Sequence, residues 1–357
     1  MSTLATSMTS RRMSNQGHVA VGLATVAVGF AVSAALNGLS PSWVIVWSFM
    51  LYPIAVYVSS RILEDRRQAT DRLVRVSVTL AFVVVVLPLA SLVWTVIREG
   101  AARFDATFLT GNMRLTPEDL AAQNGGEAVG GAFHAMVGTL IVTSVAALIA
   151  IPLGLFTAIY LVEYGRGRLV KAITSMVDVM TGIPSIVAGL FSYALFVLIL
   201  GPGTRTGLAG GVALSVLMTP VVVRSAEEML RLVPNELREA SYALGVPRWK
   251  TIVKVVLPTA IAGILTGSTL AIARVIGETA PLLVTVGLAQ ETNLNPFDGR
   301  MTTLPVYTYY QYVQPGIPTD AGQSRAWAAA LMLVIIVAVL FTLGRVLARV
   351  LQPKGMR

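Results

Sequence analysis

Cysteine is absent from the 357 residues, which rules out disulfides, thiolate metal sites and a cysteine nucleophile, and leaves the redox compartment undetermined. Histidine occurs only as His18 and His134, too far apart in sequence to suggest a zinc site. Charge is scarce: Asp, Glu, Lys and Arg make up 13% of the chain against 55% hydrophobic residues, with a mean hydropathy of +0.73. A soluble domain does not tolerate such a composition, so the chain reads as an all-α, multi-span membrane protein. No G-x-x-x-x-G-K-[ST] loop is present to cradle a nucleotide, so no cofactor is expected in this chain and any ATP-Mg must be used by another subunit. No Ser/His/Asp set or paired carboxylates mark a hydrolase, and no internal repeat of the kind common in self-contained transporters stands out.

What is present is a series of apolar runs, about eight of them, each near the roughly 20 residues that cross a bilayer. They cover residues 19–36, 43–59, 74–97, 133–161, 177–200, 207–223, 261–288 and 327–351; the fourth is long enough to tilt and the sixth is short. The first follows Arg11 and Arg12 and resembles a cleavable signal, but it exceeds a usual signal core and a second span follows at once, so a retained helix is expected.

The formal net charge of +9 does not point to nucleic acid, because the basic residues sit in short loops between apolar runs. Arg11, Arg12, Arg61, Arg66, Arg67, Arg72, Arg166, Arg168, Lys171, Arg345, Arg349, Lys354 and Arg357 all fall on one side of the alternating spans. That side is expected to be the cytoplasm, which puts both termini inside. The opposite loops hold Asp105, Glu118, Asp119, Glu127, Glu291, Asp298 and Asp320, read as solvated faces.

One cytoplasmic loop is not merely solvated. In ELREASYALGVPRWKTIVKVVLP, residues 236–258, Leu237, Ala240, Ser241 and Leu244 recur at helical spacing after Pro234, and Gly245 then Val246-Pro247 supply a stop. A second short helix is expected from Arg248 to Pro258, where the next span begins. Two short helices with a Gly hinge, tied to two spans, form an element that can dock into another protein.

The series Glu239, Ala240, Ser241, then Gly245, then Val255, Leu257 and Pro258 resembles the EAA loop of ABC importer permeases, with Ser241 in place of the usual Ala and Val255 in place of Ile. The segments DVMTGIPSIVAGLFSYALF, TPVVVRSAEEMLRLVPNELREASYALG and ARVIGETAPLL narrow the likeness to phosphate-transport permeases of the PstA type. The resemblance implies a six-helix importer permease core at 73–351, with the coupling loop at 225–257. A two-helix extension at 1–72 and a tail at 352–357 lie outside it. It further implies Glu239, Ala240, Gly245, Leu257 and Pro258 as the surface coupled to an ATP-binding subunit. A second permease of the PstC type, an extracytoplasmic phosphate-binding protein, phosphate itself and membrane lipid are the other expected partners. The implied location is the bacterial cytoplasmic membrane.

Arg274 and Glu278 are expected near the middle of the seventh span, about sixteen residues and ~24 Å of helix beyond Pro258. An Arg at that depth costs ~2.5 to 3.5 kcal/mol and should face protein or a wet path. Four apart, the two are expected on one helix face. They are either an internal ion pair joining spans or an oxyanion contact, for which a guanidinium fork suits better than an ammonium. In the second reading Glu278 neutralises Arg274 when the path is empty. Arg224, at the end of the sixth run, is open to the same two interpretations, path or ordinary positive-inside residue. Pro88, Pro152, Pro184 and Pro281 lie within runs, as kinks or as openings onto a wet cavity, and Gly182 and Gly189 flank Pro184. The competing functions are an ion-coupled oxyanion transporter or channel that needs no ATPase, and an ABC permease for a related oxyanion.

Overall fold

The computed structural model describes residues 15–125 and 129–351. Arg11, Arg12, Glu127, Lys354, Arg357 and the tail at 352–357 lie outside the described residues. Every regular element among the described residues is helical. The chain divides after Trp94 into two units.

The first unit holds α1 (Asn15–Leu36), α2 (Pro41–Leu63) and most of α3 (Arg66–Ala101). A Cβ on Gly29 would stand 2.4 Å from the Ser48 hydroxyl, so α1 and α2 pack backbone to backbone. At the far end of this pair a polar cluster ties the helices together: Arg72 donates to Glu64 Oε1 at 2.6 Å and bonds to His18.

The second unit begins with the end of α3 and two short helices, α4 (Ala106–Thr110) and α5 (Pro117–Asn124), followed by α6 (Phe133–Ile159), which ends in a π-turn over Tyr160–Tyr164. Then come α7 (Arg168–Thr181), α8 (Ser185–Leu200), α9 (Gly207–Arg231), α10 (Asn235–Ala243) and α11 (Arg248–Thr251). A second π-turn, Ile252–Val256, leads into α12 (Leu257–Val275). The unit closes with α13 (Ala280–Thr285), α14 (Leu304–Val313) and α15 (Thr319–Leu351). The most enclosed of the membrane-length helices is α9, which packs against α6 and α12 around Val142, Ala146, Leu214, Met218, Val222 and Ala271. Small residues let these backbones approach, which is how helices associate where lipid offers no hydrophobic driving force.

Seven helices among the described residues are long and apolar enough to span a membrane, and eight if a bent pair counts as one. Several expected spans take a different course. The sixth run is not short, because α9 continues through Arg231. The fifth is two helices, α7 and α8, bent by 106°. Pro184 causes the break: it has no N–H for the carbonyl one turn back and pushes Ile183 out of helical backbone. The seventh run also fails to form one helix. There α12 stops at Val275, and Pro281, whose missing N–H would leave the Gly277 carbonyl unsatisfied, opens α13 instead. The helix expected to end at Pro258 does not end there, since α11, the π-turn and α12 run on without a gap and Pro258 sits in the first turn of α12.

The loops that hold Asp105, Asp119 and Glu291 are more than solvated faces. Asp105 caps α4 and pairs with the buried Arg103, which also donates to the Gly130 carbonyl at 2.8 Å. Burial raises the Asp105 carboxyl, but hydrogen bonds from Thr107, Phe108 and Arg103 outweigh it and hold the group below its usual value. Asp119 completes a capping box with Thr116, and Arg114 pairs with Glu291.

Candidate functional site

The two breaks meet. A Cβ on Gly189 of α8 would stand 2.5 Å from the Cα of Pro281, so the start of α13 lies directly on α8. Between the two breaks is a cavity of about 190 Å³, roomy enough to hold water. Its wall comes from the first break (Met180, Thr181, Ile183, Ser185), from α9 (Leu217, Pro220, Val221) and from the second break (Arg274, Val275, Glu278). Leu217 to Val221 lie at the middle of α9, so the cavity lies about 15 Å along that helix from Gly207. Irregular backbone at such depth is tolerated where it lines a cavity.

Arg274 and Glu278 thus share a wall but not a helix face. Arg274 is in the last turn of α12, at the end of its helix and not in the middle, and Glu278 lies in the turn beyond it, its N–H bonded to the Val275 carbonyl at 3.1 Å. No ion pair joins them among the described residues, and neither has another side-chain partner there. The internal ion pair is therefore not formed. Arg274 is exposed in the single chain and Glu278 half-buried, which leaves the cavity open on one flank.

Arg224 is placed differently. One turn beyond Pro220 and outside the cavity wall, it donates to Glu227 at 2.9 Å and pairs with Asp178 of α7. Glu227 is buried and also accepts from Arg231 at 2.8 Å. The network pins α7 to α9 just below the cavity.

The segment that resembles the EAA loop follows the C-terminal end of α9. Glu239 and Ala240 are exposed on α10, beside the exposed apolar side chains of Leu237, Leu244 and Trp249. The helix stops as its residues dictate: Gly245 has φ +75°, its N–H bonds to the Tyr242 carbonyl at 2.9 Å, and Val246 N–H bonds to the Ser241 carbonyl at 3.2 Å. This double bond around a left-handed glycine is a Schellman motif. Leu257 and Pro258 open α12.

Three residues that the sequence did not single out anchor α10. Arg238 donates to Glu163 Oε1 at 2.9 Å and to the carbonyls of Val233 and Leu230 at 2.6 and 2.9 Å. Glu163 sits in the π-turn that ends α6, with its side chain 3% exposed. Arg248 bonds to the Glu163 carbonyl and lies 5.1 Å over the Tyr164 ring. The available signal was an acid placed where an apolar run meets a basic loop.

Residues 150–356 match the model of the binding-protein-dependent transport system inner membrane component family. The chain is 50% identical over 260 residues to the phosphate transport system permease protein PstA 1 of Mycobacterium tuberculosis (strain H37Rv), covering 72% of this chain and 80% of that protein. It is 36% identical over 274 residues to PstA of Yersinia pestis, covering 76% and 89%. Among solved structures, the inward-facing MetNI methionine ABC transporter is 20% identical with a TM-score of 0.49, covering 67% of this chain and 100% of that one.

Proposed function

The chain belongs to the family of binding-protein-dependent transport inner membrane components, and from that premise we propose that it is the PstA-type permease subunit of an ATP-driven phosphate importer. A permease of this family works with a second permease and ATPase subunits in the inner membrane, so an ion-coupled transporter acting alone is not favoured. In this reading a PstC-type chain closes the open flank of the cavity and a phosphate-binding protein delivers substrate from outside. ATP-Mg is hydrolysed in the separate subunit docked on Glu239, Ala240 and Gly245, and both termini are cytoplasmic. Residues 73–351 are the permease core and 1–72 an addition to it.

The observation that carries the proposal is Arg274, unpaired among the described residues, on the wall of a cavity built from two broken helices. Its planar fork matches two oxygens of an oxyanion. The positive end of α8 begins at Ser185 on the same wall and favours negative charge. Glu278 is an acceptor for a hydrogen-donating form of phosphate, which sulfate lacks. Arg224, held by Asp178 and Glu227, serves the path by fixing α7 against α9.

The test is phosphate uptake into vesicles holding the assembled complex. Arg274→Gln with Glu278→Gln leaves no lone charge, so a scaffold role would tolerate the double change. Loss of uptake with assembly and basal ATPase intact is expected, with Arg274→Lys a partial substitute at best. Near-normal uptake by the double variant would overturn the path assignment.

A further inference from the structure

A second cavity, about 240 Å³, opens between α12 and α15. The two helices touch at Gly344, where a Cβ would stand 2.3 Å from the Thr269 hydroxyl, and the crevice lies beside that crossing. Ala262 of α12 and Ala348 of α15 lie beyond it, toward the end of α15 that carries Arg345 and Arg349, and both guanidinium-bearing residues line the crevice. No acidic residue does. Arg345 makes no hydrogen bond or ion pair among the described residues. The Thr269 hydroxyl is already used by the Leu265 carbonyl at 2.8 Å. The crevice therefore offers an apolar floor and, at its rim, the Arg345 guanidinium with no acidic residue on the lining beside it.

We infer that this crevice holds an anionic phospholipid, its phosphate against Arg345 and the first part of an acyl chain between Ala262 and Ala348. Basic pockets between spanning helices recognise acidic headgroups in this way. The inference is independent of the substrate carried at Arg274. It differs from ordinary snorkelling of basic residues into the headgroup layer, because it requires the crevice as well as the charge.

The experiment reconstitutes the intact complex in phosphatidylcholine vesicles containing spin-labelled phosphatidylglycerol or spin-labelled phosphatidylcholine, and reads the immobilised fraction of each. The intact protein should prefer phosphatidylglycerol, by a factor that falls about fivefold in Arg345→Gln. Ala348→Phe fills the crevice and keeps both charges, and should abolish the preference as well. Excess inorganic phosphate should leave it unchanged. The inference is overturned by a preference that survives Ala348→Phe, which would mean diffuse attraction at the headgroup layer. It is equally overturned by displacement with free phosphate, or by a photo-crosslinker at Ala348 that captures another subunit's helix instead of lipid.

Discussion

Replacing Glu163 by Gln should loosen the coupling helix and little else. The Glu163 and Arg238 side chains are 3% and 12% exposed, and they meet through two bonds of 2.9 and 3.1 Å. Removing one partner of a buried pair costs about 3–5 kcal/mol. For Glu163→Gln the lower end applies, about 3 kcal/mol, because Arg238 keeps the carbonyls of Val233 and Leu230. That is roughly a hundredfold in the equilibrium between docked and undocked α10. Arg238→Gln should cost more, since it frees α10 from both carbonyls and from the Glu163 carboxylate at once. With both replaced no lone charge is buried, so the double variant should fall short of the sum of the singles by about 1–3 kcal/mol. Hydrogen exchange of the α10 amides in the purified complex measures the loosening, and phosphate moved per ATP measures its consequence. Exchange should rise in α10 while α9 keeps its protection, and transport per ATP should drop. Additive single effects, or unchanged exchange in Glu163→Gln, would refute the anchoring role.

The stop after α10 should obey backbone rules alone: nothing lies within 4 Å of a Cβ at Gly245, so Gly245→Asn should couple nearly as well as wild type. Gly245→Ala should lose ~1 to 2 kcal/mol and Gly245→Val more, read as substrate-stimulated ATPase activity, and equal activity in all three would reject the assignment. Gly189→Val should behave oppositely, since its Cβ would strike the Pro281 backbone, so phosphate uptake should fall with ATPase coupling preserved; unchanged uptake would mean the two breaks need not touch. Deleting residues 1–60 with a start methionine restored should leave a core that assembles with its partners, checked by co-purification, and an inserted truncation that fails to assemble would make the first two helices part of the essential packing.

The elements written in local signals were legible. Pro234, the helical spacing of Leu237 to Leu244 and Gly245 specify α10 and its end, because capping involves only neighbours in sequence. The number of spans followed from hydropathy for the same reason. Their course did not: an apolar run has the same composition whether straight or broken, so 177–200 and 261–288 read as single helices although each contains a proline, Pro184 or Pro281. Arg274 and Glu278 were singled out by depth alone, and four-residue spacing then suggested a helix face that the break at Ile276 removes. Partners distant in sequence left no trace. Nothing in periodicity joins Glu163 to Arg238, 75 residues on, or Arg224 to Asp178 on another helix.

The open flank of the Arg274 cavity bears on how the cell distinguishes a finished transporter from a stray chain. In the single chain Arg274 is exposed beside the middle of α9, so an orphan copy carries a charge whose placement costs ~2.5 to 3.5 kcal/mol in lipid. If a second permease subunit completes the wall, as proposed, that cost is removed without any segment set aside as an assembly signal. A chain that owns only part of the wall also encloses no pathway of its own. On that proposal, unpaired copies are both energetically marked and unable to leak the anion.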